Sequence, residues 1–295
     1  MMKLQSILSV VCLLVAGSIV VSCSKEDPGL AAQKQLALDI EKIETYITDK
    51  GLANVTTTSS GLRYAITEAG TGNLPEVSDI VVLHYEGKLL DGSTFDSSFD
   101  RGVPFTYVFG VGQVIPGFDE GVSKISQEGA GIIMIPSYLA YGTSGSGSIG
   151  ANEVLIFNIE VWSDNEILEN DLSKIENYID TKAITGVEET SSGLNYVITK
   201  AGTGDNVKEG DAVEIMYRGY LLDGTVFDET TNSSYNYTVG QTGLIEGWEE
   251  AVALLNTGAE GTFFIPSKLG YGRSGNQGIA PNEVLIFDIE VVSIN

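Results

Sequence analysis

The chain has 295 residues, enough for two domains of ordinary size, each able to bury its own core. With 35 Gly against 7 Pro, the composition favours a turn-rich β fold over a helical bundle. The 40 acidic and 16 basic residues give a formal charge of −24. This charge argues against nucleic acid binding, because that affinity comes from Lys and Arg that neutralise phosphates. An acidic surface that keeps the protein soluble is the simplest explanation, although it could also attract basic peptides or divalent cations.

The N-terminal residues 1–22 have the pattern of a secretory signal, in which Lys3 precedes the apolar run 7–21. The run is short of the ~20 residues that a membrane-spanning helix needs, so an uncleaved anchor is the weaker alternative. The run ends in Val-Val-Ser-Cys, which resembles the lipobox of bacterial lipoproteins and implies a lipid on Cys23. Residues 25–27, Lys-Glu-Asp, are similar to the signal that sends some Gram-negative lipoproteins to the outer face of the outer membrane. We therefore expect an outer membrane lipoprotein on the periplasmic or cell-surface side.

Two helices are predicted, one ahead of each half of the chain. Residues 23–32 are polar and should form a flexible tether, after which apolar residues recur at helical steps from Gln33. The same pattern returns 132 residues later, where residues 163–166 predict a capping box. We therefore place one domain in residues 33–163 and another in residues 164–295, each with a leading helix. Such a helix is expected to cover a sheet edge of its own domain, and pairing into an oligomer is the alternative.

A long internal repeat organises the rest of the sequence, with residues 81–105 returning as 213–237. Tyr85, Asp91-Gly92 and Phe95-Asp96 recur as Tyr217, Asp223-Gly224 and Phe227-Asp228. Alternating apolar residues predict half-buried strands, and the Asp-Gly pairs predict tight turns. Later the offset falls to 130, from Phe118 to Trp248, so two residues should be lost between Phe105 and Gly117. Each copy is predicted to have about five mostly antiparallel strands and one short internal helix.

The residues available exclude several kinds of site. His84 is the single histidine and has no counterpart in the second copy, so it should be a packed or surface imidazole rather than part of a metal site or a catalytic triad. The glycine-rich segment 142–147 lacks the Lys-Ser or Lys-Thr of a phosphate loop, and the carboxylates after Asp91 lack calcium-loop spacing. A hydrolytic pair of Asp96 and Glu120 is not excluded, although nothing marks a nucleophile. No metal and no cofactor is expected.

A set of aromatic and aliphatic residues recurs in both copies while the neighbouring residues change. A hydrophobic core would explain part of this recurrence. However, Tyr85 and Tyr141 carry hydroxyls that need partners if they are buried. Asp96 adjoins Phe95 at a point where a core would not accommodate a charge. We interpret the recurring residues as one site that is built twice.

These residues and their spacing closely resemble the FKBP family of peptidyl-prolyl cis/trans isomerases. The motifs that carry the resemblance are Tyr85-x-Gly87, Asp91-Gly92-x-x-Phe95-Asp96-Ser97-Ser98, Pro104-Phe105, Val114-Ile115-x-Gly117, Pro136-x-x-x-x-Tyr141-Gly142 and Leu155-x-Phe157. The resemblance covers roughly residues 60–161 and 192–292. It implies two tandem FKBP-like domains of the α+β class. In each, a twisted antiparallel sheet would wrap around the short helix and leave an apolar pocket between them.

The resemblance also implies roles for the site residues. In the first copy the catalytic set would be Tyr85, Phe95, Asp96, Arg101, Phe105, Val114, Ile115, Phe118, Tyr141 and Phe157. Phe118 would form the floor of a proline pocket, and Tyr141 would donate a hydrogen bond to a substrate carbonyl. Tyr85 and Arg101 would hold Asp96 beside the twisting amide. The substrate-binding set of the second copy would be Tyr217, Phe227, Asp228, Leu244, Ile245, Trp248, Tyr271 and Phe287.

The sequence departs from the family pattern in ways that rank the two copies. Phe118 stands where the family usually has Trp. Residues 229–234 contain no arginine to match Arg101, and Tyr235 stands for Phe105, so Asp228 lacks its expected partner. We therefore expect the first domain to be the better isomerase and the second to be mainly substrate-holding.

The function that follows is a lipid-anchored tandem isomerase that acts on proline-containing segments of exported proteins. The alternative is a binding module, such as a chaperone or adhesin, in which the same pockets hold peptides without catalysis. A third, structural alternative is a spacer that carries another group away from the membrane. The sequence leaves the client proteins, the membrane face and the oligomeric state open.

Overall fold

The computed structural model describes residues 28–241 and 243–295, so the predicted signal peptide and Cys23 lie outside the described residues. The first described element is the leading helix α1 (Pro28–Lys50), which begins five residues before Gln33 and so takes in part of the predicted tether. Within the described ranges, no helix is both long enough and apolar enough to cross a membrane.

The first domain consists of α1 followed by seven strands and two short helices. Its strands are β1 (Thr56–Thr57), β2 (Arg63–Glu68), β3 (Ile80–Lys88), β4 (Thr94–Ser97), β5 (Phe105–Val108), β6 (Ala130–Ile135) and β7 (Leu155–Val161). Its short helices are α2 (Ser98–Arg101) and α3 (Pro116–Val122). The strands form one antiparallel sheet in the order β1-β2-β6-β7-β3-β4, with β5 also paired to β3. The predicted antiparallel α+β class is confirmed, with seven strands where about five were expected; the two-residue β1, which pairs with β2 at an edge, is one of the additional strands.

Both faces of this sheet are buried, which explains why β6 and β7 are almost continuously apolar. Ile133 and Ile135 of β6 pack with Phe118 of α3 in the main core. The intervening Met134 points to the opposite face, where it packs with Ile43 of α1. The domain therefore has three layers, with α3 on one face of the sheet and α1 on the other.

The leading helix covers a face of the sheet, and the prediction that it covers an edge is wrong. Ile43 is fully buried among Met134, Val154 and Ile156. The guanidinium of Arg63 in β2 donates to Glu44 of the helix at 3.0 Å. The physical reason is that the outer face of β6 and β7 is apolar and needs a cover.

The second domain repeats this arrangement. Its helices are α4 (Asp164–Lys182) and α5 (Glu246–Ala253), and its main sheet contains β8 (Glu188–Glu189), β9 (Asn195–Lys200), β11 (Ala212–Leu221), β12 (Val226–Glu229), β13 (Tyr235–Thr238), β15 (Glu260–Ile265) and β16 (Leu285–Ile294). A small separate ladder joins β10 (Thr203–Asn206) to β14 (Asn256–Thr257). The predicted capping box at the start of α4 is confirmed, because Ser163 and Glu166 bond each other's backbone N–H groups.

The two-residue loss between the copies lies earlier than predicted. Leu83 pairs with Phe105 in the first domain, and Ile215 pairs with Tyr235 in the second. The offset has therefore already fallen to 130 at Tyr235. The predicted match of Tyr235 to Phe105 is confirmed, and the prediction that the loss follows Phe105 is wrong. The missing residues belong to the segment that forms α2 in the first domain. The repeat offset alone could not locate the change, because few residues between Ser98 and Phe105 match the second copy.

The two domains contact each other through the loop that follows Tyr271. Arg273 lies in this loop, and its Nε donates to Asp164, at the start of its own domain, at 3.0 Å. Its two Nη atoms donate to the carbonyl oxygens of Ile80, at 3.1 Å, and Trp162, at 3.3 Å. Asn282 of the second domain also donates to the hydroxyl of Thr106, at 3.0 Å. A loop of the second domain is thus bonded to β3 and β5 of the first.

Candidate functional site

The first domain has an open hollow of about 520 Å³ between the sheet and α3, hereafter the first pocket. Its walls are formed by Tyr85, Phe95, Asp96, Phe105, Gln113, Val114, Ile115, Pro116, Phe118, Tyr141 and Phe157. Nine of the ten residues predicted for this site line it; the tenth, Arg101, lies beside it and bonds two wall residues. Gln113 and Pro116, which flank the predicted Val114-Ile115 pair, were not predicted.

Aromatic rings form most of the wall, and they contact one another mainly edge to face. The ring of Phe118 lies 5.1 Å from Phe157 and 5.8 Å from Tyr85, measured between centroids. Phe95 approaches Phe157 at 5.5 Å, also edge to face. This is a favoured geometry for aromatic pairs, so the rings keep their positions without filling the hollow.

Gly87 makes room for two of these rings. A Cβ at this position would lie 2.6 Å from Phe95 and 2.9 Å from Phe157, closer than side-chain carbons approach. The equivalent Gly219 meets Phe227 and Phe287 in the same way, at 2.7 Å each. The glycine of the Tyr-x-Gly motif is therefore required by the pocket wall in both domains.

One carboxylate, Asp96, lies at the edge of this aromatic wall. The hydroxyl of Tyr85 and the guanidinium of Arg101 both donate hydrogen bonds to Asp96. Arg101 also donates to the Tyr85 hydroxyl at 3.1 Å, and its guanidinium lies 5.7 Å from the centre of the Tyr85 ring. Burial raises the pKa of Asp96, but the hydrogen bonds from Tyr85 and Arg101 outweigh burial and hold this pKa below its ordinary value. The carboxylate is thus ionised and fixed in orientation at neutral pH.

Arg101 reaches Asp96 because the chain makes one helical turn, α2, directly after Asp96. The turn begins with Ser97, whose side chain accepts from the N–H of Asp100, and it ends at Gly102 in the left-handed conformation with φ 65°. Ser98 joins α2 to β3, because its Oγ accepts from the N–H of Tyr85 at 2.8 Å.

His84 is packed behind α2, in agreement with the prediction of a packed or surface imidazole. Its Nδ1 lies 2.9 Å from the Oγ of Ser98, and its ring stacks on Phe99 at 4.7 Å. Burial, and then the charge of Arg101, lower the pKa of His84. The imidazole therefore supports the turn that carries Arg101 and does not line the pocket.

Tyr141 lies on the rim of the pocket, with 38% of its surface exposed. Its hydroxyl makes no hydrogen bond within the part of the chain that the structure describes, so it is available as a donor. The loop after it is held by backbone bonds, in which Asn152 donates to the carbonyl of Gly142 at 2.7 Å. This glycine-rich loop is thus closed at its base.

The second domain has an equivalent hollow of about 500 Å³, hereafter the second pocket. Its walls are formed by Tyr217, Phe227, Asp228, Tyr235, Gly243, Leu244, Ile245, Trp248, Tyr271, Asn276, Gln277, Ile279 and Phe287. All eight residues predicted for this site are present. Asn276 and Gln277 were not predicted for this site; their counterparts in the first copy, Ser146 and Gly147, do not line the first pocket.

The carboxylate of the second pocket has fewer partners. The hydroxyl of Tyr217 donates to Asp228 at 2.7 Å, but no guanidinium in the described residues bonds Asp228. The neighbouring Arg218 is paired with Glu229 instead, at 3.7 Å. Thr230 replaces Ser98 and keeps the bond to the tyrosine N–H, at 2.8 Å. The second domain therefore keeps the tyrosine–carboxylate pair and lacks the arginine.

The floors of the two pockets differ in one hydrogen bond. In the second domain the indole N–H of Trp248 donates to the buried hydroxyl of Tyr237 at 3.1 Å. In the first domain Phe118 and Tyr107 hold these positions, and Phe118 has no donor. The hydroxyl of Tyr107 is buried and makes no hydrogen bond of normal geometry within residues 28–241 and 243–295; burial, and then the neighbouring Asp119 carboxylate, raise its pKa. The smaller floor thus leaves a buried polar atom unpaired.

Two other possible sites are not supported. The carboxylate of Glu120 accepts from the hydroxyl of Ser60 at 2.7 Å and 2.8 Å, and it does not line the pocket that Asp96 borders. Glu250 and Ser192 form the same pair in the second domain. No cluster of three metal-ligating side chains occurs in the described part of the chain. The hydrolytic pair and a metal site therefore have no geometric basis there.

The unpaired hydroxyl of Tyr107 leads to a stability prediction. Substituting Phe118→Trp should give this hydroxyl the N–H donor that Trp248 gives Tyr237. A buried hydrogen bond of this kind contributes about 1 kcal/mol, so the free energy of unfolding should rise by roughly that amount. Denaturant unfolding of the full chain, followed by near-ultraviolet circular dichroism, measures the change.

The control removes the hydroxyl instead of pairing it. In a Tyr107→Phe background the Phe118→Trp substitution should give no such gain, since no acceptor is left. Tyr237→Phe should destabilise the second domain by roughly 1 kcal/mol, because it leaves the Trp248 N–H unpaired. An equal gain from Phe118→Trp in both backgrounds would show that added ring volume, and not the hydrogen bond, is responsible.

The chain is similar in sequence to several known proteins. Mouse (Mus musculus) peptidyl-prolyl cis-trans isomerase FKBP9 is 34% identical over 219 residues, which cover 73% of this chain and 35% of that protein. The FKBP-type peptidyl-prolyl cis-trans isomerase FkpA of Aeromonas hydrophila is 44% identical over 131 residues, 44% of this chain and 48% of that protein. The crystal structure of FkpA from Escherichia coli is 31% identical with a TM-score of 0.39, and the match covers 45% of this chain and 62% of that one. The chain spans between about a third and a half of the length of the two relatives compared by sequence.

The family model for the FKBP-type peptidyl-prolyl cis-trans isomerase matches the chain twice, at residues 72–162 and 204–292. Each match contains one of the two pockets described above. Because the two segments together make up more than half of the sequence, the chain belongs to the FKBP-type peptidyl-prolyl cis-trans isomerase family and carries two copies of the family's domain.

Proposed function

We propose that the protein catalyses cis/trans isomerisation of Xaa-Pro peptide bonds, chiefly in the first pocket. The observation that carries this proposal is an open hollow walled by aromatic rings, with one oriented carboxylate and one free hydroxyl at its edge. The family membership supports the same chemistry. The reaction needs no nucleophile, metal or cofactor, since it makes and breaks no covalent bond.

The aromatic wall favours the twisted form of the bond. A planar peptide bond resists rotation with a barrier of ~18–20 kcal/mol, because resonance gives the C–N bond partial double-bond character. The charge-separated form that causes this stiffness is favoured by water. Rings such as Phe95, Phe118 and Phe157 offer a drier environment, which weakens the preference for the planar state. A pocket that fits the twisted proline better than either planar isomer adds differential binding.

Polar groups at the edge of the first pocket would orient the substrate. The hydroxyl of Tyr141 can donate to a substrate carbonyl. Asp96 would lie beside the twisting amide, fixed by Tyr85 and Arg101. A group fixed in advance stabilises a developing charge distribution without reorganising, which is why its orientation matters.

The second pocket is proposed to be the weaker catalyst. Asp228 keeps its tyrosine partner and has no arginine partner, so its carboxylate is less constrained. The pocket still presents aromatic walls and Tyr271, and it can therefore hold a proline-containing segment. Binding without efficient turnover in the second domain would prolong contact with an unfolded client chain.

A matched pair of substitutions tests the proposed function and the ranking together. Asp96→Asn and Asp228→Asn remove one charge each without changing side-chain size. Hydrogen bonds to charged groups contribute ~1.5–3 kcal/mol, so Asp96→Asn should lower kcat/KM roughly tenfold or more in the full chain. Asp228→Asn should lower it less than twofold. The measurement is a protease-free isomerisation assay on a proline tetrapeptide, with peptide affinity measured in parallel.

The parallel affinities separate catalysis from binding alone. If Asp96→Asn lowers the isomerisation rate while the peptide affinity is retained, the result supports an enzyme. An unsubstituted chain that binds the peptide without accelerating isomerisation would support the chaperone or adhesin alternative. Neither rate nor affinity would support the spacer. Equal losses of kcat/KM in Asp96→Asn and Asp228→Asn would overturn the ranking of the two domains.

The position of the pKa of Asp96 predicts a pH dependence. Because the pKa of Asp96 in the folded protein lies below its ordinary value, the ionised carboxylate stabilises the folded site above about pH 4. This stabilisation is lost only as the pH falls through the lowered pKa of Asp96. Activity should therefore be flat from pH 8 down to about 5. Arg101→Ala removes one of the opposing donors while burial still raises the pKa, so the fall in activity should begin at higher pH. Rates measured across this range in both proteins, with Arg218→Ala as the control arginine, test the shift.

We further propose that the protein is anchored in a bacterial membrane by a lipid on Cys23 and acts on exported proteins. Cys23 lies outside the described residues, so the support is the sequence motif alone. Expressed in bacteria, the mature chain should begin at a lipid-modified Cys23 and partition into detergent, whereas Cys23→Ser should remain aqueous. Mass spectrometry of the N-terminal peptide provides the measurement, with Cys12→Ala as the control. A mature N-terminus elsewhere would contradict the anchor, and labelling of intact cells with an impermeant reagent would identify the membrane face.

A further inference from the structure

Outside the two pockets, each domain buries one carboxylate completely. Asp39 in α1 and Asp171 in α4 are 0% exposed. They hold equivalent positions in the repeat, 132 residues apart. Burial of a carboxylate carries a large desolvation cost unless the charge is paired, so two such residues at equivalent positions indicate a specific role for their partners.

Both carboxylates bond the same kind of partner, a serine at the start of a 3-10 turn. One oxygen of Asp39 accepts from the backbone N–H of Ser137 at 2.9 Å and from its hydroxyl at 2.6 Å. Asp171 accepts from the N–H and hydroxyl of Ser267 at 2.9 Å and 2.5 Å. The other oxygen of Asp39 accepts from Gln35 at 2.7 Å. Each leading helix is thus joined to its domain by a paired, directional contact.

The serine lies at the base of the loop that carries the pocket tyrosine. Ser137 begins the turn Ser137–Leu139, and its carbonyl accepts from the N–H of Gly142 at 2.8 Å. Tyr141 therefore lies within a short loop that is closed at Ser137. In the second domain Ser267 begins the turn Ser267–Leu269, its carbonyl accepts from Gly270 at 2.9 Å, and Tyr271 follows.

We propose that Asp39 and Asp171 are positioning residues for Tyr141 and Tyr271. The inference rests on the proposed isomerase function, in which those hydroxyls contact the substrate. Apolar contacts such as that of Ile43 hold the helix against the sheet but permit small shifts along it. A carboxylate that accepts two hydrogen bonds from one serine fixes the turn in direction as well as in distance. The leading helix is therefore part of the apparatus that orients the pocket tyrosine.

If Asp39 only stabilised the fold, its loss would lower activity whether or not Tyr141 has its hydroxyl. A double-substitution experiment separates this structural role from the positioning role. The full chain with Asp228→Asn and Tyr271→Phe serves as the parent, so that turnover reports the first pocket. Asp39→Ala in this parent should lower kcat/KM about fivefold at a temperature where circular dichroism shows a folded protein. In the same parent carrying Tyr141→Phe, Asp39→Ala should change kcat/KM less than twofold. Glu41→Ala, an exposed carboxylate on the same helix, is the matched control and should have no effect in either background.

A second readout does not depend on turnover. The nuclear magnetic resonance signals of the Tyr141 ring should shift or broaden in Asp39→Ala and stay unchanged in Glu41→Ala. If Asp39→Ala does not fold, Ser137→Ala removes only the hydroxyl donor and takes its place in both measurements. Asp171→Ala, with Glu169→Ala as control, should act in the same way on Tyr271 in the otherwise unsubstituted chain.

The outcomes distinguish this inference from the proposed function. Equal rate losses with and without the Tyr141 hydroxyl, or an unchanged Tyr141 signal, would overturn the positioning role while leaving the isomerase activity standing. An inactive unsubstituted chain would overturn the proposed function. In that case the dependence of the Tyr141 signal on Asp39 still decides whether the carboxylate positions the tyrosine.

Discussion

The short helix α3 covers only part of the aromatic face of its sheet, and the pocket is the part that stays open. The rings of Tyr85, Phe118 and Phe157 contact one another edge to face, so they are fixed by each other rather than by a side chain that fills the hollow. Gly87 removes the Cβ that would displace two of the wall rings. The opposite face of the sheet is sealed by the leading helix, which lets the strands be apolar on both sides. An apolar hollow can therefore persist at the surface of a strongly acidic protein.

Differences between the copies are concentrated where polar groups meet this apolar wall. The first domain has the extra turn α2, and that turn brings Arg101 to Asp96 while His84 and Ser98 support it from behind. The second domain lacks the turn and the arginine, yet it has the better-satisfied floor, because Trp248 pairs the hydroxyl of Tyr237. One copy thus orients its carboxylate more firmly, and the other pairs the tyrosine hydroxyl beneath its pocket floor. Divergence has altered the polar edge and the floor while keeping the shared rings.

Much of the site could be predicted from the sequence because the pocket residues recur in order, at fixed spacing, in two copies whose other residues differ. The position of the two-residue loss between the copies was predicted wrongly. The segment between Ser98 and Phe105 matches little in the second copy, so strand pairing is needed to align it. The prediction that α1 covers a sheet edge was also wrong. Helical periodicity shows that one side of a helix is apolar, but it does not show which surface that side packs against. The bonds from Asp39 to Ser137 join residues 98 positions apart, and only the fold brings them together.

The contact between the domains gives the second pocket a constraint that the first does not have. Arg273 lies two residues after Tyr271, and its guanidinium bonds are to Asp164 and to carbonyl oxygens of Ile80 and Trp162. The equivalent residue of the first copy is Thr143, which has no guanidinium to make such bonds. A guanidinium presents its donors in a rigid fork, so bonds in several directions fix its orientation. The loop that borders the second pocket is therefore attached to the first domain, so the geometry of the second pocket depends on its neighbour, whereas Tyr141 in the first pocket is held within its own domain.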